Sequence, residues 1–294
     1  MRIIHVARHG GHDNDDEGAI SYALEQLGHS VVRLSESCSL EDVDSLDADF
    51  ILCHKWENLP LVSKTRHPVA CWYFDLLFGD GDPRLRMHLR RAWAGPMASV
   101  CTLMCCTDGD WVSQDRTGKL RVLRQGADER KIGPGTSGRV RHKMVFTGVI
   151  LGLRRRQFVK EVSGRYPLHV VGGRGYYDRV HGRDLADLLA TYDIAVAPDS
   201  PVTDRYWSNR VYLTLGFGGF LLHPYAADLT KDYEPGSELV MYRNMDEFFE
   251  LADYYLEHED ERRRIANAGY ARTVSNHLYR HRCAELVKMM EERL

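Results

Sequence analysis

The chain has 294 residues, which at about 150 residues per domain suggests two domains. Its 44% hydrophobic and 28% charged residues are ordinary globular usage and disfavour a disordered, collagen-like or membrane-embedded chain. The net charge of −3 excludes an overall basic nucleic-acid binder. The charge is uneven, however, because residues 84–165 hold 18 Lys and Arg against 6 Asp and Glu (net +12), which leaves −15 elsewhere. Either a local site for phosphates or nucleic acid, or solvated helix surface, is compatible with this distribution.

The first half of the sequence alternates short apolar segments with helical patterns. Strands are predicted at 2–7, 30–34, 49–54, 68–74, 99–106 and 120–124, and helices over 17–29 and 83–93. Apolar, β-branched runs of this length are typical of buried strands. Their alternation with helices predicts a parallel sheet of the Rossmann type.

A glycine-rich segment separates this half from a second one with the same rhythm. Residues 131–143 contain three glycines and one proline without apolar periodicity, which indicates a linker. Strands follow at 143–149, 168–173, 193–198, 218–223 and 238–242, and helices at 154–162, 184–192, 208–216, from 244 onward, at 259–268 and at 277–293. Asn244 and Glu247 form a pattern like a capping box. We therefore predict an α/β fold with two Rossmann-like domains, 1–135 and 136–276, with a ligand cleft between them and a final helix at 277–294.

The cysteines and the N-terminus point to a reducing compartment. Seven cysteines, an odd number, lie mostly in apolar runs without a C-x-x-C pair, which favours buried free thiols over a zinc or redox site. The sequence shows neither an apolar signal segment nor a run of about 20 apolar residues. We expect a soluble cytoplasmic protein, or one of the host cytoplasm if it comes from a phage.

Two candidate catalytic positions follow strands of the first half. After the first strand, adjacent glycines at positions 10 and 11 permit close backbone approach to a ligand, and His12 and Asp13 could act as general bases. The alternative is a turn whose Asp residues cap the next helix. Asp75 follows an apolar strand and could face a ligand crevice, or it could cap a helix.

Two candidate anion sites lie in the second half. The first combines a glycine turn at Gly148 with a basic helix start at Arg154, Arg155 and Arg156. Backbone N–H groups and Arg side chains in such an arrangement can hold a diphosphate. Asp199 precedes Ser208, Asn209 and Arg210, which are predicted at a helix start, where anions bind. The alternatives are surface arginines and an ordinary N-cap.

Four segments of the second half form an ordered pattern: residues 207–224, 233–256, 261–269 and 277–282. Together they resemble the C-terminal domain of group 1 glycosyltransferases, most closely a spore-maturation, CgeB-like subgroup that includes phage members. The resemblance is ordered over residues 180–290. The segments K-M-V-F-T-G and R-R-R extend it weakly to residue 143. The first half of the chain matches the family only in its architecture.

The resemblance implies a GT-B fold in which 136–276 holds a nucleotide-sugar donor, 1–135 holds the acceptor, and 277–294 packs back on the first domain. It implies a UDP-sugar co-substrate and no metal, since basic side chains and helix ends stabilise the leaving diphosphate. Arg210 would contact the diphosphate, with Arg154 or Arg155 as its partner. Independently of the resemblance, the glycine pair after the first strand predicts that Gly11 approaches the donor. Leu213 departs from the family, which commonly has a ribose-binding Glu there, and Tyr206 stands where the first Glu of many retaining members would be. Asp199 or Asp204 could supply the ribose carboxylate instead.

These residues support an active glycosyltransferase whose acceptor is open. The basic stretch would suit DNA with a hydroxymethylated base, reached by flipping the base out, with Trp72, Trp93 or Trp111 stacking in the gap. A glycan, lipid or protein acceptor is the alternative, and Leu213 also permits a non-catalytic binding protein. A dehydrogenase is disfavoured, because no spaced G-x-G-x-x-G follows the first strand.

Overall fold

The computed structural model describes residues 1–9, 16–77, 87–136, 142–150, 152–172, 180–199 and 202–294, without the side chains of 56 and 87–91. The chain divides into two compact units. The first contains the described residues up to Asp128 together with Tyr279–Leu294, and the second contains those of Glu129–Leu278. The chain therefore passes from unit 1 to unit 2 at residue 129 and returns at residue 279.

Unit 1 is built on a six-stranded parallel sheet in the order β2-β1-β3-β4-β5-β6. The strands are β1 (Arg2–Ala7), β2 (Ser30–Ser35), β3 (Phe50–Cys53), β4 (Val69–Tyr73), β5 (Leu103–Cys106) and β6 (Leu120–Val122). The helices are α1 (Asp16–Gln26), α2 (Leu40–Asp44), α3 (Leu59–Val62), α4 (Met87–Val100), α5 (Gly109–Val112) and α11 (Tyr279–Glu291). Strands β3, β4 and β5 are buried along their whole length, as strands covered on both faces must be.

Unit 2 contains a five-stranded parallel sheet in the order β11-β10-β9-β7-β8. The strands are β7 (His142–Thr147), β8 (Leu168–Val171), β9 (Tyr192–Val196), β10 (Leu221–Pro224) and β11 (Val240–Tyr242). The helices are α6 (Leu153–Ser163), α7 (Gly182–Ala190), α8 (Arg210–Gly216), α9 (Met245–Glu257) and α10 (Glu259–Asn276). Both units are therefore parallel α/β layers, which confirms the predicted fold class.

The last helix belongs to the core of unit 1. Cys283, Leu286 and Met290 on α11 are completely buried in the same apolar cluster as Ile20 of α1 and Trp72 of β4. The backbone N–H of Tyr279, at the start of α11, donates to the carbonyl of Ala127 at 3.0 Å. A segment remote in sequence thus closes one face of the first sheet.

The structure differs from the predicted elements mainly at their ends and in short helices. Helix α4 continues to Val100, so that β5 begins at Leu103 rather than at 99. Helices α2, α3 and α5 have four or five residues each, which is too short for apolar periodicity to show. Asn244 caps α9 by accepting the N–H of Glu247 at 2.9 Å, but the Glu247 carboxylate accepts from the N–H of Arg243. The pair therefore forms only half of a capping box.

The cysteines are all free thiols, and six of the seven are buried. Cys53, Cys71, Cys101 and Cys106 share one apolar cluster of unit 1. Burial raises the pKa of the Cys106 thiol well above its usual value, which keeps it in the unreactive protonated form. These residues act as small apolar side chains of the core.

Candidate active site

The candidate site lies in unit 2, at the carboxyl ends of the adjacent strands β7 and β9. In parallel α/β sheets ligands bind outside this edge. Arg155, in the first turn of α6, reaches across it. Its Nε donates to the carbonyl of Pro198 at 2.8 Å and its Nη1 to the carbonyl of Val149 at 2.9 Å. These two bonds connect the segments that follow β7 and β9.

Arg210, the first residue of α8, lies at the same edge. Its Nε donates to the carbonyl of Thr147 at 2.6 Å and its Nη1 to Ser208 Oγ at 2.9 Å. The guanidinium carbons of Arg210 and Arg155 lie 5.2 and 5.6 Å from the centre of the buried Phe146 ring. We refer to Arg155 and Arg210, which share this ring, as the arginine pair. Two cations at one sheet edge attract an anion of more than one charge.

A buried carboxylate holds the arginine pair in place. Asp199 is 6% exposed. Its Oδ1 accepts from Ser208 Oγ at 3.2 Å and lies 3.6 Å from Arg210 Nη1, while Oδ2 lies 3.1 Å from Nε2 of His223. Burial would raise the pKa of Asp199, but the hydrogen bond and charge of His223, followed by Arg210 and Arg155, hold it below its usual value. Asp199 is therefore an ionised internal partner of the arginine pair.

Gly148 provides space rather than a donor. Its φ of +145° lies in a region that favours glycine, and its N–H donates to the carbonyl of Val171 at 2.8 Å. That N–H is therefore committed to the sheet, in contrast to the prediction that it would bind phosphate. A Cβ here would lie 2.7 Å from Nη2 of Arg210, so the missing side chain is what lets the guanidinium approach.

The structure distinguishes among the other predicted donor residues. Arg155 faces the cluster, whereas the side chain of its neighbour Arg154 is exposed. Ser208 joins the cluster through Asp199 and Arg210. Asn209 occupies the N-cap of α8 in an α-helical conformation and makes no capping hydrogen bond with its side chain. The donor role of each residue stays a prediction.

Of the predicted catalytic residues of unit 1, only Asp75 lies within the described ranges, so the structure does not show whether they form one site. Gly11, His12 and Asp13 lie outside the described ranges. Asp75 is exposed in a bend after β4. Its role as a base therefore also stays a prediction.

The carboxyl end of the first sheet contains a histidine pair that the sequence did not reveal. His54 Nδ1 donates to the carbonyl of Trp72 at 2.9 Å, so its Nε2 accepts from His5 Nε2 at 2.7 Å, and His5 Nδ1 accepts from Ser21 Oγ at 2.7 Å. The two Nε2 atoms share a single proton, so at most one of the two rings is protonated. Burial lowers the pKa of His54 to about 4, against the hydrogen bond to Trp72, and burial also lowers that of His5.

Asp16 is a second feature that sequence reasoning overlooked. It begins α1, where an Asp is expected as a cap, but Gln125 donates to its Oδ2 at 3.0 Å. Burial raises the pKa of Asp16 to about 6, against a hydrogen bond from Tyr279. A carboxylate that titrates near neutrality can accept a proton in catalysis. The signal for Asp16 was hidden because its partners come from residues 125 and 279.

His223 was overlooked in the second half, although a usable signal was present. It ends the apolar run G-G-F-L-L-H on β10, at the same edge as Asp199. A polar residue at the carboxyl end of a buried strand is the pattern that drew attention to Asp75.

Comparison with solved structures identifies the architecture. A sucrose-phosphate synthase from Thermosynechococcus elongatus aligns over 99% of this chain and 98% of its own, with a TM-score of 0.70 and 10% identity. Anabaena HepE, in complex with UDP, aligns over 99% and 100% with a TM-score of 0.70 and 12% identity. The chain has the GT-B fold. AviGT4, a glycosyltransferase involved in avilamycin A biosynthesis, aligns over 99% and 97% at 15% identity with a TM-score of 0.53.

A comparison with protein-family models also indicates a glycosyltransferase-like sequence in unit 2. Residues 154–288 match a family model described as glycosyl transferase-like, and these residues include Asp199, Arg210 and His223. No curated protein sequence matches the chain significantly. Together the two positive comparisons support the predicted enzyme class, a glycosyltransferase. Neither of them identifies the CgeB-like or phage subgroup. Within the described ranges, every helix is too short or too polar to cross a membrane.

Proposed function

We propose that this protein transfers a glycosyl group from a nucleotide sugar, specifically a UDP-sugar, to a hydroxyl of an acceptor. The arginine pair at the carboxyl edge of the second sheet carries this proposal. Its two guanidinium groups share the Phe146 ring, and that of Arg210 lies against Gly148. The UDP and UDP-glucose complexes of the similar HepE support the choice of nucleotide.

The arginine pair would act on the leaving group. When the glycosidic bond to the diphosphate breaks, negative charge grows on the diphosphate oxygens. Preorganised cations stabilise that charge most when they need not reorganise during the reaction. Arg155 is held by Pro198 and Val149, and Arg210 by Thr147 and Ser208. These fixed donors support electrostatic stabilisation of the leaving diphosphate.

A base in unit 1 would deprotonate the acceptor hydroxyl if the reaction inverts the sugar. His12, Asp13 and Asp75 are the bases that the sequence predicts. Asp16 joins them because its pKa of about 6 suits a group that takes up a proton near neutral pH. The carboxyl edge of the first sheet therefore supplies several candidates for the same step.

The proposal of a hydroxymethylated DNA base as acceptor rests on the basic residues between positions 84 and 165. Several of these side chains hydrogen-bond to backbone carbonyls of the protein itself, which weakens the support for DNA. Arg84 lies outside the described residues. In the segment 116–124, Arg124 is buried and donates to the carbonyl of Thr107, and Lys119 donates to the carbonyl of Ser99 at 2.8 Å. Arg121 donates to the carbonyls of Gly118 and Leu120. A glycan, lipid or protein hydroxyl is therefore as well supported as DNA.

A transfer assay tests the proposal. Radiolabelled UDP-sugars are incubated with the protein and with either hydroxymethylated DNA or a glycan panel. We expect label in one acceptor class, which vanishes in Arg155→Ala and Arg210→Ala but persists in Arg156→Ala, an exposed change in the same helix. Label in glycans alone would eliminate the DNA acceptor. No transfer and no hydrolysis of any nucleotide sugar would contradict a catalytic role.

A non-catalytic binding protein is the second candidate, and Leu213 favours it. This side chain packs against the apolar cluster of α7 and β9 and offers no carboxylate to a ribose. Asp199, one proposed substitute, is occupied by His223, Ser208 and Arg210. Thermal shift measurements with nucleoside diphosphates, combined with the transfer assay, separate the two. No stabilisation by any nucleoside diphosphate would support this alternative.

A further inference from the structure

His223 is a buried titratable group that the proposed reaction does not use. It is 1% exposed and lies on β10, where its ring contacts the carboxylate that organises the arginine pair. The rest of its strand is apolar, so a methyl-bearing side chain would fill the position without any electrostatic penalty. A histidine in a buried strand requires partners for both ring nitrogens.

Both partners of His223 are acceptors. Its Nδ1 lies 2.6 Å from the carbonyl oxygen of Pro224, and its Nε2 lies 3.1 Å from Asp199 Oδ2. A carbonyl and a carboxylate oxygen can only accept, whereas a neutral imidazole has one donor and one acceptor nitrogen. Both hydrogen bonds therefore form only when the ring carries two N–H groups, that is, when it is an imidazolium. The neutral pair of His5 and His54 in unit 1 shows the opposite pattern.

The charges that face His223 make this protonation consequential. Asp199 after β9 contacts the ring of His223, while Arg210 on α8, Arg155 on α6 and the phenol of Tyr242 on β11 act on Asp199. Burial, followed by the charge of Asp199, raises the pKa of Tyr242, so this phenol stays neutral. With a neutral His223, Asp199 would cancel one of the two arginine charges. With an imidazolium, the net charge of the cluster is that of both arginines.

We propose that His223 is a positioning residue of the donor site: as a buried imidazolium it neutralises Asp199 and leaves the charges of Arg155 and Arg210 available to a diphosphate. The inference rests on the proposed function for its ligand, but the protonation state of His223 stands independently. Asp199 then positions Arg210 through Ser208 without removing its charge from the site. The ligand class is a nucleoside diphosphate or its sugar ester.

A mutant cycle on UDP affinity tests the role. We expect His223→Gln to weaken UDP binding roughly tenfold in titration calorimetry, because a neutral amide leaves Asp199 free to pair with Arg210. Asp199→Asn removes the carboxylate that would pair with Arg210, so adding His223→Gln to this variant should change its UDP affinity less than about twofold. A filler role for His223 would instead weaken binding equally in both backgrounds. That outcome, or wild-type affinity in folded His223→Gln, would overturn the proposal.

Nitrogen NMR tests the protonation state directly in the wild-type protein. With ¹⁵N-labelled histidine, and with Asp199→Asn used to assign the signal, both ring nitrogens of His223 should show the shifts of protonated nitrogen at pH 7.5. The signal should convert to a neutral tautomer in Asp199→Asn. One unprotonated nitrogen in the wild type would refute the inference. Absence of UDP binding by the wild type would refute the proposed donor, while this spectrum would still decide the state of His223.

Discussion

Single positions decide how the donor site is built, and Gly148 shows this most directly. We expect Gly148→Ala to weaken UDP binding at least tenfold, because its Cβ would lie 2.7 Å from Arg210 Nη2. The φ of +145° should also lower the free energy of unfolding by about 1–3 kcal/mol. Calorimetry with UDP and urea unfolding measure the two effects.

Gly133→Ala is the matched control for this change. Gly133 has a φ of +132°, and a Cβ there would meet only the end of the Arg183 side chain at 3.3 Å. The control should lose stability while UDP affinity stays at the wild-type value. Equal loss of affinity in both variants would show that Gly148 does not act through Arg210.

At the residue scale, the histidine pair of unit 1 predicts a pH-dependent stability. The pKa of His54 falls to about 4 in the folded chain, whereas an unfolded histidine titrates near 6.5. The unfolded state therefore takes up the proton first, and the stabilisation present above pH 6.5 is lost as the pH falls towards 4. The loss between pH 7 and pH 5 should be about 2 kcal/mol.

Comparison with His54→Gln isolates this effect from Asp16. The raised pKa of Asp16, about 6, has the opposite sign, because the folded carboxyl holds its proton more tightly and gains stability as the pH falls. Urea unfolding at pH 7 and at pH 5 should show a gap between wild type and His54→Gln that narrows on acidification. A constant gap would mean that folding leaves the pKa of His54 unchanged, and a widening gap would mean that folding raises it; either result would contradict the prediction.

At the scale of elements, the close approach of α10 to α8 positions the helix that begins with Arg210. Gly269 on α10 makes it possible, since a Cβ there would lie 2.3 Å from the carbonyl oxygen of Glu238 and 3.0 Å from Leu215. We expect Gly269→Ala to lower the free energy of unfolding by at least about 1–3 kcal/mol, because neither backbone can give way cheaply.

Asn267→Ala places the same methyl group on the exposed side of the same helix. It should leave stability within about 0.5 kcal/mol, because Ala is the better helix former. Urea unfolding of both variants tests the pair. A neutral Gly269→Ala would show that α10 shifts away from Glu238 and Leu215 without loss of stability.

Elements were more predictable from the sequence than contacts. The strands of both sheets are apolar runs such as F-I-L-C, which show their burial directly, so the parallel α/β class could be inferred. The sequence could not show which of Arg154 and Arg155 belongs to the site. Adjacent residues of a helix point in different directions, and which direction faces the site depends on the tertiary structure. The neutral His5 and His54 pair joins positions 49 residues apart, and a single sequence shows no sign of such a contact.

At the scale of the whole molecule, the return of the chain to unit 1 makes its last helix part of the first core. We expect Leu286→Ala on α11 to destabilise unit 1 by about 2–5 kcal/mol, since Leu286 is completely buried. All seven cysteines belong to unit 1, so the rate of thiol labelling measures its opening. Leu286→Ala should be labelled faster than Lys288→Ala, an exposed change in the same helix. Equal rates would contradict the role of α11 in this core.

In the proposed reaction the arginine pair binds the diphosphate of a nucleotide-sugar donor. Titration calorimetry of UDP against wild type, Arg155→Ala and Arg156→Ala tests this binding most directly. Arg155 and Arg156 are neighbours in α6, and of these two only Arg155 donates to the carbonyl of Pro198. We predict measurable UDP binding by the wild type, unchanged affinity in Arg156→Ala, and at least a tenfold loss in Arg155→Ala. Wild-type affinity in Arg155→Ala, or no binding of UDP to the wild type, would contradict the claim.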